Sequence, residues 1–375
     1  MRKTNLSGWL CLITVLVGVN VKVQAQSWSF TGSMGAQRAF HSATLLNNGE
    51  VLVAGGRNRQ LYGLGSAELY NASTGTFAST GNLNNRRADH TATLLNNGKV
   101  LIAGGDFYVF MPTGSQHFCL SSAELFAPST GTFTLTGSMH AQRCGGLFAG
   151  FTATLLQNGK VLIAGGSNLS GLVPAAELYD PSTGTFSLTG NLNTPRIGHT
   201  ATLLPNGEVL IAGGLNTNYL TSAELYNPST GTFTPTGSMN TARELFTATL
   251  LNNGEILAAG GQHSNLIPPF LTSAELYNPS TGKWTPTGSL NTGRYYQTAT
   301  LRTNGQVLIA GGGAHLASAE LYDPSSGTFT VTGSLNTVRT DHAAVVLSNG
   351  EVLAVGGYDG NGGNIGYLSS AELFH

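Results

Sequence analysis

The stretch TSAELYNPSTGTFTPTGSMNTAR, residues 221–243, recurs along the chain in near-copies. Five further copies begin at Ser66, Ser122, Ala175, Ser273 and Ser318, and a final fragment, SAELFH, occupies residues 370–375. Self-similarity at a period of about 20 to 50 residues is typical of propellers and solenoids, in which each repeat buries its apolar face against the next. The repetition therefore favours one repeat domain over several unrelated domains in a chain of 375 residues.

Each unit repeats the same order of strand and turn signals. A Gly-Gly pair ends an apolar run such as EVLVAGG at residues 50–56, and an Asn-Gly dipeptide precedes each run. Both residues of Asn-Gly tolerate the positive φ that a two-residue type I′ hairpin needs. A third strand such as SAELY and a fourth such as TFTPTG follow, separated by the turn NPSTG. The first glycines of the pairs are Gly55, Gly104, Gly165, Gly213, Gly260, Gly311 and Gly356. The sequence therefore predicts seven four-stranded antiparallel sheets.

The pattern resembles the kelch repeat family. Two aromatic residues follow the Gly-Gly pair in six units, at Tyr70/Phe77, Phe126/Phe133, Tyr179/Phe186, Tyr226/Phe233, Tyr277/Trp284 and Tyr322/Phe329. The resemblance covers residues 27–375 and implies an all-β fold, a seven-bladed β-propeller. The predicted organisation is a signal peptide at residues 1–25 followed by one propeller at residues 26–375.

The seventh unit stops after its third strand, and the N-terminal region supplies the missing fourth. WSFTGSM at residues 28–34 aligns with FTLTGSM at residues 133–139. We therefore expect the first strand to complete the last blade, because a closed ring leaves no open sheet edge.

The first 25 residues have the features of a secretory signal. Arg2 and Lys3 precede the apolar run GWLCLITVLVGV, and VQA ends at Ala25 as a small-residue cleavage site. An uncleaved anchor is the alternative, but the run is short for a bilayer span. Cleavage leaves 14 basic and 18 acidic residues without a charge run, which argues against nucleic acid and anionic membranes as partners. The mature chain is predicted to be secreted or periplasmic, monomeric and without a membrane span.

One Arg and one Glu recur at fixed positions in every unit. The Arg residues are Arg38, Arg87, Arg143, Arg196, Arg243, Arg294 and Arg339, and the Glu residues are Glu68, Glu124, Glu177, Glu224, Glu275, Glu320 and Glu372. The resemblance allows a ring of channel-mouth arginines that binds anions, as some kelch propellers use for acidic peptides. The alternative is a buried ion pair in every blade, since a buried carboxylate needs a partner. A binding site rarely needs seven equal copies, so the sequence favours a structural ring.

Variation between units is concentrated in the loops between second and third strands and between blades. Strand alternation places these loops on one face of the disc, and variable loops on a rigid frame are where binding sites usually lie. The candidate binding residues on this variable face are Tyr62, Tyr108, His117, Tyr219, His263, Tyr295, Tyr296, His315 and Tyr358. A simple covering of the channel is the alternative role for these loops.

The two cysteines of the mature chain lie in two insertions of the second repeat interval. Cys119 precedes the third strand of its unit and Cys144 opens the insertion CGGLFAG, on the same face. In an exported protein this placement predicts a disulfide, and two unpaired thiols are the alternative.

Two enzymatic alternatives come from resemblance. Galactose oxidase-like proteins hold copper on a kelch propeller with His and Tyr ligands and a Tyr–Cys cross-link, and His117, His140, His263 and His315 are the candidate histidines here. The adjacent Tyr-His ligand pair of that family and its flanking domains are missing. Exported sialic acid epimerases also use kelch propellers, but no positioned acid–base pair can be identified in the sequence. We therefore predict no metal or other cofactor and a binding module for a protein or glycan, with a copper oxidase or sugar epimerase as the alternative.

Overall fold

A computed structural model describes residues 26–60, 63–111, 114–144, 150–263, 270–313, 315–360 and 366–375. The predicted signal peptide and Tyr62 lie outside these residues. All regular structure in the described residues is β-strand, arranged in seven antiparallel sheets of four strands. The predicted all-β, seven-bladed propeller is therefore confirmed.

Each blade has four strands, and the first strand lies next to the central channel. The first strands are β2 (Ser42–Leu45), β6 (Thr91–Leu94), β12 (Phe151–Leu155), β18 (Thr200–Leu203), β22 (Thr247–Leu250), β26 (Thr298–Leu301) and β30 (Ala343–Val346). The second strands are β3 (Val51–Ala54), β7 (Val100–Ala103), β13 (Val161–Gly165), β19 (Val209–Ala212), β23 (Ile256–Ala259), β27 (Val307–Ala310) and β31 (Val352–Val355). Consecutive first strands contact one another, and β30 contacts β2, so the ring is closed around a channel.

The outer half of each blade consists of the third and fourth strands. The third strands are β4 (Ala67–Asn71), β10 (Ala123–Ala127), β16 (Ala175–Asp180), β20 (Ala223–Asn227), β24 (Ala274–Asn278), β28 (Ala319–Asp323) and β32 (Ala371–Phe374). The fourth strands are β5 (Thr76–Ser79), β11 (Thr132–Leu135), β17 (Thr185–Asn191), β21 (Thr232–Thr236), β25 (Lys283–Pro286), β29 (Thr328–Thr332) and, in the seventh blade, β1 (Trp28–Phe30). Two hairpins, β8–β9 (Asp106–Met111 and Gly114–Cys119) and β14–β15 (Ser167–Asn168 and Gly171–Leu172), rise from the variable face.

The predicted closure of the ring by the N-terminal strand is confirmed. Strand β1 pairs antiparallel with β32, with Trp28 opposite Phe374. The Thr31 hydroxyl lies 2.8 Å from the Tyr70 hydroxyl of the first blade. The same Thr–Tyr hydrogen bond links other neighbouring blades, for example Thr189 to Tyr226 at 3.0 Å. The junction between the seventh and first blades therefore has the same contacts as the other junctions.

The core lies between blades rather than inside them. Alternate residues of a strand point to opposite faces, and a second strand has a neighbouring blade on each side. Val100 and Ile102 of β7 accordingly pack against the first blade, while Leu101 and Ala103 pack against the third. Because both faces of each second strand are covered by neighbouring blades, the second strands are continuous apolar runs.

The Gly-Gly pair is required by close contacts within a blade and between neighbouring blades. Gly55 has a φ of 63°, and a Cβ there would lie 2.7 Å from the ring of His90 in the second blade. Gly56 has a φ of 95°, and a Cβ there would lie 2.7 Å from the carbonyl oxygen of Ala39. Both positions demand a positive φ and the absence of a side chain, which only glycine provides.

The histidines that begin the first strands are packed between blades and uncharged. Burial, followed by the charge of the nearby Arg, lowers the pKa of His90, His199 and His342 to about 3, and the pKa of His41 is also lowered. Phe151 and Phe246 occupy the same repeat position in other blades and are also buried. These histidines are therefore uncharged at neutral pH, and His90, His199 and His342 are hydrogen-bonded to Ser42, Thr152 and Thr298 of the neighbouring blades.

The buried histidines predict a loss of stability in weak acid. An unfolded histidine titrates near 6.5, so the unfolded chain binds more protons than the folded chain between pH 6.5 and about 3. Each histidine therefore costs about 1.4 kcal/mol per pH unit as the pH falls through this window. We expect His199→Phe to have near wild-type stability at pH 7.5 and a slope shallower by about 1.4 kcal/mol per pH unit between pH 6.5 and 5. Urea unfolding at several pH values measures both quantities, and an unchanged slope would contradict the uncharged state of His199.

Candidate functional site at the channel mouth

The repeated Arg and Glu residues form one buried ion pair in each blade. The Arg Nη2 atom lies 2.7–3.0 Å from the Glu Oε1 atom in all seven pairs, and every Arg side chain is fully covered. The pairs are Arg38–Glu68, Arg87–Glu124, Arg143–Glu177, Arg196–Glu224, Arg243–Glu275, Arg294–Glu320 and Arg339–Glu372. Guanidinium groups that are covered in this way do not face a ligand in the channel.

The second blade shows how both partners of a pair are satisfied. Arg87 Nη1 donates to the carbonyl oxygen of Gly104 at 2.7 Å. Glu124 accepts hydrogen bonds from the backbone N–H groups of Asn84 at 2.6 Å and Asn85 at 2.9 Å. Burial by itself would raise the pKa of Glu124, but these N–H donors and Arg87 hold that pKa below its ordinary value. This geometry favours the structural interpretation of the ring.

The channel mouth on the variable face is formed by residues two positions after the repeated Arg. Six of these residues have a left-handed backbone with φ between 51° and 60°. They are Phe40, Asp89, Gly198, Leu245, Tyr296 and Asp341. Backbone hydrogen bonds link them from blade to blade, from Phe40 N to Asp341 O at 3.2 Å and from Asp89 N to Phe40 O at 3.0 Å.

The left-handed backbone at the channel mouth carries bulky side chains. A positive φ is unfavourable for residues such as Phe, Leu and Tyr, by about 1–3 kcal/mol each, and such strain is concentrated at functional sites. The side chains also differ from blade to blade, whereas the buried Arg and Glu do not. In the six blades described at this position, the channel mouth thus combines one backbone conformation with variable side-chain chemistry.

An ionic cluster lies between the first and second blades. The Arg57 guanidinium pairs with the Asp89 carboxylate, lies 4.0 Å from Asp106 Oδ1 and covers the Phe40 ring at 4.3 Å from its centroid. His117 Nε2 lies 2.9 Å from Asp106 Oδ2. One cation, one aromatic ring and two carboxylates therefore meet on this side of the mouth.

The base of the β8–β9 hairpin extends this ionic cluster. The His117 ring stacks on the Tyr108 ring at 4.3 Å between centroids. Burial and the Asp106 carboxylate raise the pKa of Tyr108, so its phenol stays protonated at neutral pH. The structure thus brings two of the predicted binding residues, Tyr108 and His117, to the edge of the channel mouth.

An aromatic cluster adjoins the ionic cluster at Phe40 and includes residues of the sixth, seventh and first blades. Tyr358 lies 6.3 Å from the Phe40 ring and 6.3 Å from the Tyr367 ring, and Tyr295 lies 5.3 Å from the Tyr296 ring, measured between centroids. Burial and the Asp341 carboxyl raise the pKa of Tyr358 to about 12. Burial raises the pKa of Asp341 itself to about 7.

A second carboxyl group with a raised pKa lies in the fifth blade. Glu244 is 1% exposed, and its Oε1 atom accepts a hydrogen bond from Gln262 Nε2 at 2.8 Å. Burial raises the pKa of Glu244, and burial and this carboxyl group together raise the pKa of Tyr219. This carboxyl group is covered, unlike the partly exposed Asp341.

The structure brings six of the nine predicted binding residues to the mouth or its edge: Tyr108, His117, Tyr219, Tyr295, Tyr296 and Tyr358. His263 and His315 are exposed loop residues, and Tyr62 lies outside the described residues. The sequence analysis missed Phe40 and Arg57 as members of the site. The signal for Phe40 was its position two residues after Arg38, where the side chain changes from unit to unit.

The predicted disulfide is confirmed between Cys119 and Cys144, whose Cα atoms lie 5.0 Å apart. It ties the end of β9 to the residue before the insertion at residues 145–149, which the structure does not describe. Both sulfurs are used in this bond. Neither can therefore form a cross-link to a tyrosine.

The described residues offer one candidate group of His, Cys, Asp or Glu metal ligands. Within the described ranges, one group of three His, Cys, Asp or Glu ligand atoms lies close enough to share an ion, and it consists of His117, Cys119 and Cys144. Two of its three ligands are the disulfide sulfurs, which lack the thiolate charge that binds a metal. His140 instead lies beside the buried Glu177, 3.0 Å from its Oε2 atom.

The opposite face of the disc carries a series of similar clefts between blades. Five described clefts have volumes of 310–640 Å³ and are lined by Asn-Gly turns and Asx-Pro-Ser or equivalent turns. In the cleft between the third and fourth blades, Asn206 uses its side chain to bond Glu208 of its own turn. The clefts contain no aromatic side chain and repeat the scaffold, so they are weaker candidates than the mouth.

The comparisons with known proteins identify the repeat and the fold. Residues 197–240 and 246–291, which form the fourth and fifth blades, match the Kelch motif family model. No curated protein matches the sequence. A solved fungal alcohol oxidase of the AA5 family, in complex with copper, is similar in structure, with 16% sequence identity and a TM-score of 0.73. The likeness covers 93% of this chain and 76% of that chain, and at this identity it shows the fold alone. Among the residues that the structure places, no helix is long and apolar enough to cross a membrane.

Proposed function

We propose that this seven-bladed propeller with Kelch motifs is an exported binding module whose ligand, a protein or a glycan, docks on the variable face at the channel mouth. The observation that carries the proposal is the ring of six residues held at positive φ. The backbone conformation is the same in all six blades described at this position. The side chains supply five different groups: phenyl, carboxylate (twice), none, isobutyl and phenol. A scaffold that repeats one backbone conformation and varies its side chains is typical of ligand-binding surfaces.

The chemistry around the mouth supports recognition rather than simple covering of the channel. Partly exposed rings of Phe40, Tyr296 and Tyr358 supply apolar contact area with polar ends. Asp89 and Asp341 supply carboxyl groups within the same ring, and the Arg57 guanidinium pairs with Asp89 beside the Phe40 ring. Aromatic and Arg side chains that converge in this way are typical of binding surfaces.

The disulfide supports an exported location. Disulfides persist in oxidising compartments and are rare in reducing ones. The Cys119–Cys144 bond also fixes the β8–β9 hairpin, which carries Tyr108 and His117, against the third blade. A secreted or periplasmic location follows as part of the proposal.

A ligand screen followed by paired substitutions tests the proposal. We expect a peptide display library or a glycan array to yield a ligand, and Tyr296→Gly to weaken its binding at least tenfold in calorimetric titration. Gly198 occupies the same position in the fourth blade, so glycine fits this backbone and should leave the melting temperature unchanged or higher. Asn206→Ala, in a cleft of the opposite face, is the matched control and should bind as the wild type does.

Two results would contradict the binding module. The first is a ligand whose affinity responds to Asn206→Ala and not to Tyr296→Gly, which would move the site to the opposite face. The second is near one copper per chain in untagged protein, with oxidation of an alcohol, which would favour the oxidase alternative.

A further inference from the structure

Three side chains of the seventh blade form a hydrogen-bonded chain where β1 meets β32. The Ser29 hydroxyl lies 2.7 Å from His375 Nε2, and His375 Nδ1 lies 2.7 Å from Glu351 Oε1. Ser29 and His375 are 346 residues apart in the sequence, and the pairing of β1 with β32 brings them together. The backbone N–H of His375 donates to the carbonyl oxygen of Ser27 at 3.2 Å, which extends this pairing to the ring itself.

The Glu351 carboxylate determines which nitrogen of the His375 ring carries the proton. A carboxylate only accepts hydrogen bonds, so Nδ1 donates its proton to Glu351 Oε1. The lone pair of Nε2 is then free to accept the hydroxyl proton of Ser29. Glu351 Oε2 accepts a second hydrogen bond, from Asn349 Nδ2 at 2.7 Å, which holds the carboxylate in place. A hydroxyl, an imidazole that takes its proton and a carboxylate that orients the imidazole are the parts of an activated serine nucleophile.

The arrangement depends on the way in which the seventh blade is closed. In the other blades a turn joins the third and fourth strands, and in five of the six an Asx residue begins this turn. Such a residue bonds to its own turn, as Asn278 Oδ1 does by accepting from the Ser280 N–H at 3.0 Å. Strands β32 and β1 are not consecutive in the chain, and His375 bonds across the blade instead. The residues at the His375 position in the first six blades are Asn71, Ala127, Asp180, Asn227, Asn278 and Asp323.

The third blade provides the same serine without the imidazole. Ser187 lies opposite a Leu of the third strand, as Ser29 does in the seventh blade, and both serines are exposed. Asp180 and Lys160 occupy the positions of the imidazole and the carboxylate, and they form an ion pair at 3.1 Å. The two serines therefore share a backbone position and differ in the groups beside them.

A substrate can reach this serine. Ser29 is exposed, and the side chains of His375 and Glu351 are 28% and 26% exposed. A cleft of 350 Å³ between the seventh and first blades begins beside the chain of hydrogen bonds, because Asn349 both lines the cleft and bonds Glu351. A cleft of this volume accommodates a small molecule.

The backbone next to Ser29 offers a hydrogen-bond donor. The carbonyl oxygen of Ser27 and the N–H of Thr31 both bond to β32, and such bonds alternate along an antiparallel strand. The N–H of Phe30 therefore points away from β32, towards the open edge of the blade. An N–H of the residue after a nucleophilic serine is one of the donors that stabilise an oxyanion in hydrolases.

We propose that Ser29, His375 and Glu351 form a second functional site, which hydrolyses small carboxylic esters. Ser29 Oγ bonds to the carbonyl carbon of the ester while its proton passes to His375 Nε2. The bond between this carbon and the alcohol oxygen then breaks, and Nε2 gives the proton to the departing alcohol. A water molecule attacks the acyl-serine in the same way, with Nε2 taking its proton, and releases the carboxylic acid as the proton returns to Ser29 Oγ. Ser29 and His375 are catalytic residues in this scheme, and Glu351 is a positioning residue.

The surroundings of Ser29 favour an ester over an amide. The alternation of β1 directs one backbone N–H to the position of an oxyanion, and each such donor contributes about 10²–10³ in rate. An alcohol leaves the tetrahedral intermediate more readily than an amine, so an ester needs less stabilisation of the oxyanion. The site lies at the outer edge of the disc, on the fourth strand of a blade, and thus goes beyond the binding module at the channel mouth.

Covalent labelling tests the nucleophile. We expect a fluorophosphonate probe to modify Ser29 of the mature chain, prepared without a terminal tag, and to leave Ser187 unmodified in peptide mass spectrometry. Ser29→Ala should remove this labelling, and His375→Gln should slow it at least about a hundredfold. Ser187→Ala should label as the wild type does. Ser29 is exposed and His375 is partly exposed, so each variant should keep the wild-type melting temperature.

Hydrolysis of p-nitrophenyl acetate, corrected for the rate of Ser29→Ala, tests the positioning residue and the substrate class. Glu351→Gln should lower kcat at least about tenfold and leave KM within about twofold, because the amide lacks the charge that stabilises the imidazolium. Glu255→Gln, at the same repeat position in the fifth blade, should leave both constants unchanged. p-Nitroacetanilide should not be hydrolysed, and its hydrolysis at a comparable rate would overturn the ester as the substrate class.

Three results would overturn this site. They are a lack of labelling at Ser29, equal labelling of Ser29 and Ser187, and labelling of Ser29 that persists at the wild-type rate in His375→Gln. These variants do not change the channel mouth, so each of these results would leave the binding module intact.

Discussion

A chain without residues 26–32 is expected to lose most of its folding free energy, because these residues supply the outer strand of the seventh blade. Trp28 pairs with Phe374, with ring centroids 5.2 Å apart, and packs into the core between the sixth and seventh blades. Its carbonyl oxygen accepts a hydrogen bond from Asn336 Nδ2 at 3.1 Å. Truncation of a buried Trp to Ala typically costs about 3–5 kcal/mol, and we expect that loss for Trp28→Ala alone.

The same strand offers its own control. Phe30 lies two residues after Trp28 in the same strand but is 60% exposed, so Phe30→Ala should change the free energy of unfolding by less than about 0.5 kcal/mol. Urea unfolding of the two variants measures the difference. Equal stability of Trp28→Ala and Phe30→Ala would refute a closure that depends on the buried side chain of Trp28.

Replacement of Arg87 by methionine is expected to destabilise the propeller by about 3–5 kcal/mol, the cost of leaving a buried charge without its partner. Glu124 would lose the guanidinium 2.7 Å away, and the carbonyl oxygens of Gly104 and Ser122 would lose their donor. Methionine fills part of the volume of the Arg87 side chain. The loss of folding free energy is therefore due mainly to the missing charge and hydrogen bonds, and less to a cavity. The measurement is again the free energy of unfolding in urea, at pH 7.5.

A surface ion pair provides the comparison for Arg87. Lys160 and Asp180 lie 3.1 Å apart but are 40% and 26% exposed, so Lys160→Met should cost less than about 1 kcal/mol. The double variant Arg87→Met, Glu124→Gln should recover part of the loss, since it leaves no charge buried. A cost for Arg87→Met as small as that for Lys160→Met would show that the ring is not a structural element. Such a result would return the anion-binding alternative to consideration.

The propeller could be predicted from local signals because each blade repeats them. Asn-Gly turns, Gly-Gly pairs and alternating strands specify a four-stranded sheet without reference to any other blade. The closure by Trp28 was also predictable, because the seventh unit lacks a fourth strand and the N-terminal segment matches one. The Cys119–Cys144 bond was predictable because both cysteines lie in insertions on the same face. Because each repeat forms one blade, the number of blades follows from the number of repeats in the sequence.

The candidate site could be predicted only in part. Aromatic and His residues in variable loops indicated the face that carries the channel mouth, and they included Tyr108 and Tyr358. The groups that face one another across blades were not visible, because Phe40, Arg57 and Asp341 are far apart in the chain and meet only when the ring closes.

The sequence by itself determined the number of blades, the order of strands in each blade, the face that varies and the pairing of the two cysteines. Only the tertiary structure decided which variable residues meet at the channel mouth and what their charge states are. The physical reason is that backbone pairing and turn conformation are local properties that each repeat encodes in full. The pKa of a carboxyl group, in contrast, depends on burial and on neighbouring charges that other blades supply.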